Sequence, residues 1–384
     1  MDALPPDRSG TTTSRLDRII DTALAERRIV GAVVLAAKDG EIVYRRAAGL
    51  ADREAGRPMQ ENAIFRLSSV TKPIVAATSL ALVERGAFGL DTEIASILPE
   101  FRPSLPDGSV APITIRHLLT HTAGLSYRFA QPEDGPYAKA GVSDGLGEPG
   151  LTLSENLRRI ASVPLQSAPG TAWAYSVALD VLGGVIEAAT GKLLQTVVAD
   201  LVTGPLDMHD TAFTVTDRAR LAVPYDNATP EPVRMGAHHV VPYEHMKIGY
   251  APDRIFDPNA FPSGGGGMAG TAPDILSFLE TIRTGGGKIL RPETVADALR
   301  DQIAGLPILR PGLGWGLLSS VLRDPKAAET PQSPGTLAWG GVYGHSWFID
   351  PAERLTVVTL TNTAIAGMTG DFPNAIRDAL YDNT

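Results

Sequence analysis

The sequence predicts an α/β (α+β) fold in which one antiparallel sheet, flanked by helices, is assembled from both chain ends around a mostly helical inserted lobe. Three observations predict it. The front reads helix then β-hairpin, the back reads strands then helix, and the middle carries helical patterns separated by long loops. The expected division is a sheet domain from 15–66 and 285–384, a helical domain with long loops over 67–284, and a flexible terminus at 1–14.

Taken in order, Leu16, Ile19, Ile20, Ala23 and Leu24 recur at helical spacing and predict an amphipathic helix over Arg15 to Val30. The apolar run Gly31 to Ala37, the Asp39-Gly40 pair and Glu41 to Ala47 predict a β-hairpin. A further helix is expected from near Ser69 to about Glu84, stopped by Gly86. Pro73 is tolerated only near a helix start, and it disfavours helical dihedrals at Lys72, so an irregular first turn is expected. Ile115 to Thr120 reads as a short helix, and Gly, Pro, Asp and Ser make Leu125 to Leu151 a long surface loop. Helical patterns return at Leu153 to Ala161, Val177 to Thr190 and Leu193 to Val202. Turns and loops fill Gly204 to Gly267, and Asp274 to Thr284 is helical. Trp315 to Leu322, Gly335 to Val342, His345 to Ile349 and Leu355 to Thr361 are β-rich, and a helix from Pro373 to Tyr381 closes the chain.

Of the 384 residues, 43% are hydrophobic and 20% charged, which suits a globular chain with a large core. A net charge of -9 argues against a nucleic-acid surface, and no apolar run is long enough to span a membrane. The absence of cysteine removes disulfides, thiolate nucleophiles and Cys-ligated metal. No cofactor or metal is expected, and the polar start, without a hydrophobic segment, makes cytoplasm the expected location. The expected partner is a small molecule, with the chain a monomer or a weak homo-oligomer.

Ser69-Val-Thr-Lys72 places a hydroxyl and an amine three residues apart at a helix start, on one face. A serine becomes a nucleophile when a neighbour takes its proton, and a desolvated lysine can lose its charge and do so. Ser-x-x-Lys is a loose pattern, and a serine opening a helix is often only a cap. Further segments strengthen the reading. Tyr175 opens the helix after Pro169-Gly170 and is a candidate second base, its phenolate favoured by the positive charge of Lys72. Trp339-Gly340-Gly341-Val342 lies on a β-rich stretch, where paired glycines mark a close approach of ligand to backbone or a bulge. The amides of Ser69 and Val342 could then cradle a developing oxyanion.

Ser69-x-x-Lys72, Tyr175 and the Gly-Gly strand, in that order and spacing, resemble the serine β-lactamase and DD-peptidase superfamily, as does His117-Leu-Leu-Thr-His121-Thr-Ala-Gly124-Leu125. Within it the chain is similar to the family VIII carboxylesterases. Ala51 to Met59, Leu179 to Gly183 and Trp339 to Trp347 carry that resemblance, which extends from about Arg15 over nearly the whole chain. It implies a β-lactamase-like fold and hydrolysis of short-chain acyl esters through an acyl-enzyme on Ser69, with Lys72 and Tyr175 as a coupled base. It leaves open which of the two takes the proton.

Two departures set the chain apart from penicillin-recognising enzymes. Val177 stands where they usually carry the Asn of Tyr-x-Asn, and Trp339 where they usually carry the Lys of Lys-Thr-Gly. Both losses remove polar contacts to an anionic lactam and favour a neutral apolar ester. Trp339 with Tyr127, Phe129 and Trp347 is the expected apolar wall, and His345 either faces the cleft or packs. Transfer of the acyl group to an alcohol is an expected side reaction. The alternatives are a β-lactamase or DD-peptidase and a non-enzymatic recognition module. Gly141-Val-Ser143-Asp-Gly145 spells the lipase signature, but that motif works at a strand-to-helix elbow and no apolar strand precedes it. His117 and His121 lack the Glu of a zinc-protease helix and read as structural.

Overall fold

The computed structural model describes residues 8–147 and 150–381. Helix α1 (Arg8–Ala25) leads into β1 (Gly31–Lys38) and β2 (Glu41–Asp52), with Asp39-Gly40 at the turn. Short strands β3 (Arg57–Pro58) and β4 (Phe65–Arg66) precede a 3-10 turn, Ser68–Val70, that runs directly into α2 (Thr71–Glu84). The expected irregularity at Lys72 is corrected: Lys72 is helical, Pro73 falls in the first turn of α2, and the irregular turn lies upstream at Ser68–Val70. Next come α3 (Ile115–Leu119), α4 (Pro136–Ala140), α5 (Leu153–Ala161), α6 (Ala178–Thr190) and α7 (Leu194–Val198). A hairpin, β5 (His239–Tyr243) and β6 (Met246–Tyr250), and strand β7 (Ala269–Gly270) precede α8 (Ala272–Arg283) and α9 (Pro292–Ala298). The chain closes with β8 (Leu313–Trp315), β9 (Ser320–Leu322), β10 (Leu337–Gly341), β11 (His345–Asp350), β12 (Leu355–Thr361) and α10 (Asp371–Tyr381).

Eight strands form one sheet in the order β3-β2-β1-β12-β11-β10-β9-β8, so both chain ends build it. Strand β1 explains its own composition. Val33, Leu35 and Ala37 face a core shared with α2, α6 and α8, whereas Ala32, Val34 and Ala36 face α1 and α10. With both faces covered, an apolar run without polar alternation is what the position requires. Helix α2 is buried on every side along most of its length, which is why its apolar residues show no one-sided stripe.

Several expectations are corrected. Residues 8–14, expected to be flexible, are the first turns of α1, while 1–7 lie outside the described residues. The stretch 125–147 is not a surface loop: it holds a 3-10 turn and α4, and Leu125, Tyr127, Tyr137, Val142 and Ser143 are buried. Helix α8, expected in the inserted lobe, packs on β1 and β12. The hairpin β5–β6 was expected as loop; its Pro242 argues against a strand from sequence, and it pairs only with itself. Helix α9 was not expected at all.

Asp350 ties the closing helix to the sheet. Its carboxylate accepts from the Ser333, Ala352 and Glu353 N–H groups and from the Tyr381 hydroxyl at 2.7 Å. Burial works against its charge, but these donors outweigh burial and hold the carboxyl below its usual range. Asp350→Ala should therefore cost about 2–4 kcal/mol, read by urea unfolding at pH 7. A carboxyl held low contributes stability above its unfolded value. The difference between parent and variant should shrink as pH falls through the acid range below about 4.

Candidate active site

The turn Ser68–Val70 is held from two sides. Below it, β4 pairs with β7, Leu67 N–H donates to the Met268 carbonyl at 2.8 Å, and Met268 N–H donates to Thr71 Oγ1 at 3.1 Å. The glycine run 264–267 is thereby laid against the start of α2. Beside it stands β10, so close that a Cβ on Gly341 would lie 2.5 Å from the Leu67 carbonyl oxygen and 2.6 Å from Ser68 Oγ. Ser68 takes a left-handed backbone (φ 44°), and its Oγ accepts from the Tyr343 N–H at 3.4 Å. Ser69 is partly exposed between buried neighbours.

Lys72 is buried in the first turn of α2. Its Nζ lies 3.1 Å from Ser69 Oγ and donates to the Gly265 carbonyl at 2.6 Å. Burial pulls the ammonium down to about 7, against the opposing attraction of Asp180 and Asp144. Tyr175 completes the group: its phenol shares a hydrogen bond with Ser69 and accepts from Trp339 Nε1 at 3.1 Å. The expected preference for phenolate is corrected. Burial raises the Tyr175 hydroxyl, the hydrogen bonds from Ser69 and Trp339 offset only part of that, and Lys72 Nζ sits over the ring, 4.6 Å from its centroid. Between the two candidate bases, Lys72 is the one whose proton is loosened near neutral pH.

Aromatic rings enclose this centre. His121, Tyr127 and Trp339 lie 4.8, 5.2 and 5.0 Å from the Tyr175 ring, and Phe129 stacks on Tyr127 at 4.5 Å. Trp339 meets Trp315 edge-on at 4.6 Å, and Trp315 Nε1 donates to the Leu119 carbonyl. Val342 is partly exposed at the end of β10, its carbonyl taken by the Tyr250 hydroxyl at 3.0 Å.

Other expected site residues fall elsewhere. His345 does not face the cleft: it is fully buried, Nε2 on the Arg66 carbonyl at 2.8 Å, with burial pulling its imidazole down to about 4. Trp347 sits opposite Trp339 across β10 and β11 but is buried in the main core, so it walls no cleft. Gly340 and Gly341 make room for the protein's own atoms: a Cβ on Gly340 would meet the His345 carbonyl oxygen at 2.6 Å and Met368 Cγ at 2.8 Å. Ser143 is buried in a loop, its N–H and carbonyl both held by Asn156. His117 Nδ1 accepts from the Thr114 N–H at the start of α3, and His121 is buried against Ser176.

Sequence reasoning missed Gly265, Tyr250, Trp315 and Met368. The run Ser263-Gly-Gly-Gly-Gly267 was the available signal for Gly265, since four glycines in a row mark backbone that must pass close to something. Met368 packs against the same small core as Val342, Phe129 and Tyr243, and nothing in its local sequence marks it.

This arrangement can be set beside known proteins. Residues 16–379 match the Beta-lactamase family. The chain belongs to that family. It is 53% identical to Esterase EstB of Burkholderia gladioli over 378 residues, covering 97% of this chain and 96% of EstB. Among solved structures, EstCE1, described as a hydrolase with promiscuous acyltransferase activity, superposes with a TM-score of 0.92 at 44% identity, covering 97% and 99% of the two chains. The simvastatin synthase LovD of Aspergillus terreus superposes with a TM-score of 0.76 at 23% identity over 97% and 98%, which speaks to the fold alone. No single helix among the described residues is long and apolar enough to cross a membrane.

A fluorophosphonate probe should label the peptide containing Ser69 and leave the Ser143 peptide unmodified, as read by mass spectrometry. The labelling rate should fall as pH drops below about 7, because the ammonium form of Lys72 cannot accept the serine proton.

Proposed function

We propose that this protein is a serine carboxylesterase that cleaves short-chain acyl esters through an acyl-enzyme, with transfer to alcohols as a side reaction. The convergence of Lys72 and Tyr175 on the partly exposed Ser69 hydroxyl carries this reading. The likeness to proteins named as esterases supports it.

Neutral Lys72 takes the Ser69 proton as Oγ attacks the ester carbonyl, and the Ser69 and Val342 N–H groups receive the oxyanion. The intermediate collapses, the C–O bond to the alcohol breaks, and the Tyr175 hydroxyl protonates the departing alkoxide. The Lys72 ammonium restores that proton to Tyr175. Water then attacks the acyl-enzyme, gives its proton to the same pair, and the acid leaves as Ser69 recovers its hydrogen. An alcohol in place of water yields a new ester.

The substrate is a neutral ester. Where a penicillin-recognising enzyme presents a lysine to its anionic substrate, Trp339 presents an indole whose N–H is already spent on Tyr175. Val177, in place of the asparagine, is fully buried in the core. Phe129 and Trp339, both partly exposed, supply apolar surface for an acyl chain, while Tyr127 is buried behind Phe129 and stacks on it.

Ser69→Ala should reduce p-nitrophenyl butyrate hydrolysis by about 10³-fold or more, and retained turnover would refute the assignment. Nitrocefin should be turned over far more slowly than the ester; comparable rates would restore the β-lactamase reading. With vinyl acetate and benzyl alcohol in buffer, chromatography should detect benzyl acetate, and hydrolysis alone would remove acyl transfer from the proposal.

A further inference from the structure

Asp180 is fully buried in the first turn of α6, and the mechanism above gives it no step. Taking a carboxylate out of water costs several kcal/mol, so an acid kept there needs a compensating partner. Its neighbours come from separate parts of the chain. The Gly265 N–H points at Asp180 Oδ1 from 3.4 Å, while the carbonyl of the same residue accepts from Lys72 Nζ at 2.6 Å. A Cβ on Gly265 would lie 2.7 Å from Asp180 Oδ2 and 3.0 Å from the Tyr127 hydroxyl, so this peptide is wedged between the acid and the phenol. From the other side, a Cβ on Gly145 would lie 2.1 Å from Ser263 Oγ and 3.5 Å from Asp180 Oδ1. The acid is boxed in by backbone that cannot retreat.

The charges around the pair are few. Lys72 feels Asp180 from α6 and Asp144 from the stretch after α4. His121 and the rings of Tyr127 and Tyr175 also lie against it. Asp180 in turn faces Lys72, Arg254, the Ser263 hydroxyl and the Gly265 N–H; burial raises its carboxyl, and these four oppose the rise. When Ser69 is deprotonated, an ammonium appears at Lys72, whose side chain is buried. A fixed negative charge nearby is what makes that proton transfer affordable.

We propose that Asp180 is the positioning residue for Lys72: it holds the Gly265 peptide that aims the amine at Ser69, and its carboxylate offsets the charge that the amine acquires. The inference rests on the serine-esterase reading. Asp180→Asn in the full chain keeps the shape and removes the charge. Two readouts follow the same base, the pH dependence of fluorophosphonate labelling at Ser69 and that of kcat/KM for p-nitrophenyl butyrate. Without the anion the amine holds its proton less tightly, so the acid limb of both profiles should move to lower pH by about one unit. The plateau should fall about tenfold or more, because a weaker and less firmly aimed base transfers the proton less well. Ser263→Ala is the milder companion: it removes a hydroxyl that steadies the carboxylate and should move the limb in the same direction by less. An acid limb left in place in either soluble variant overturns the proposal, whatever happens to the plateau, since a merely structural acid would lower activity without moving it. Absence of Ser69 labelling in the unaltered protein would instead overturn the esterase reading beneath it.

Discussion

The contact between the Lys72 amine and the Gly265 carbonyl is the constraint around which the site is arranged. A buried amine is tolerable only if it finds an acceptor and can shed its proton, and the Gly265 carbonyl and the burial at the start of α2 meet both conditions. Meeting them requires a second strand of chain beneath the helix start. The β4–β7 pairing supplies it, carrying the glycine run to the underside of Ser69. Glycine is required there because Asp180 and Tyr127 leave no space for a side chain.

The other half of the site is set by the sheet. Strand β10 is close enough to the Ser68–Val70 turn to exclude any side chain at Gly341. His345 and Ser68 fasten the two together, through the Arg66 carbonyl and the Tyr343 N–H. Tyr250, from a hairpin outside the main sheet, anchors the carbonyl of Val342. The donors proposed for the oxyanion therefore belong to backbone that the fold already holds rigid, so little reorganisation accompanies the charge as it develops. Loss of His345 would disturb catalysis through the backbone it supports.

The aromatic enclosure does two jobs at once. Rings of His121, Tyr127, Trp339 and Trp315 crowd Lys72 and the half-buried Tyr175, and desolvation lowers the amine and raises the phenol. Trp339, the partly exposed ring of this group, also gives the cleft apolar lining. A site that loosens its base by desolvation is for that reason better suited to an uncharged substrate than to an anion, which would bring its own desolvation cost.

The local chemistry of the chain determined a good deal unaided. The Asp39-Gly40 turn, the apolar β1, the helix starting beside Pro73 and the closing strands and helix all follow from short-range pattern, and so does the pairing of Ser69 with Lys72 three residues on. Tertiary structure decided the matters that depend on distant partners. Trp347 and His345 carry residue types that suit a cleft, yet the segments packed over that part of the sheet bury both. Tyr175 carries a group that a neighbouring cation could hold as phenolate, but desolvation of its half-buried ring raises the hydroxyl instead. Gly265 and Asp180 gain their roles only from segments more than 80 residues away in the chain, the separation between the two being 85. Sequence pattern reports which groups can react; desolvation and long-range contact, which no local window contains, select among them.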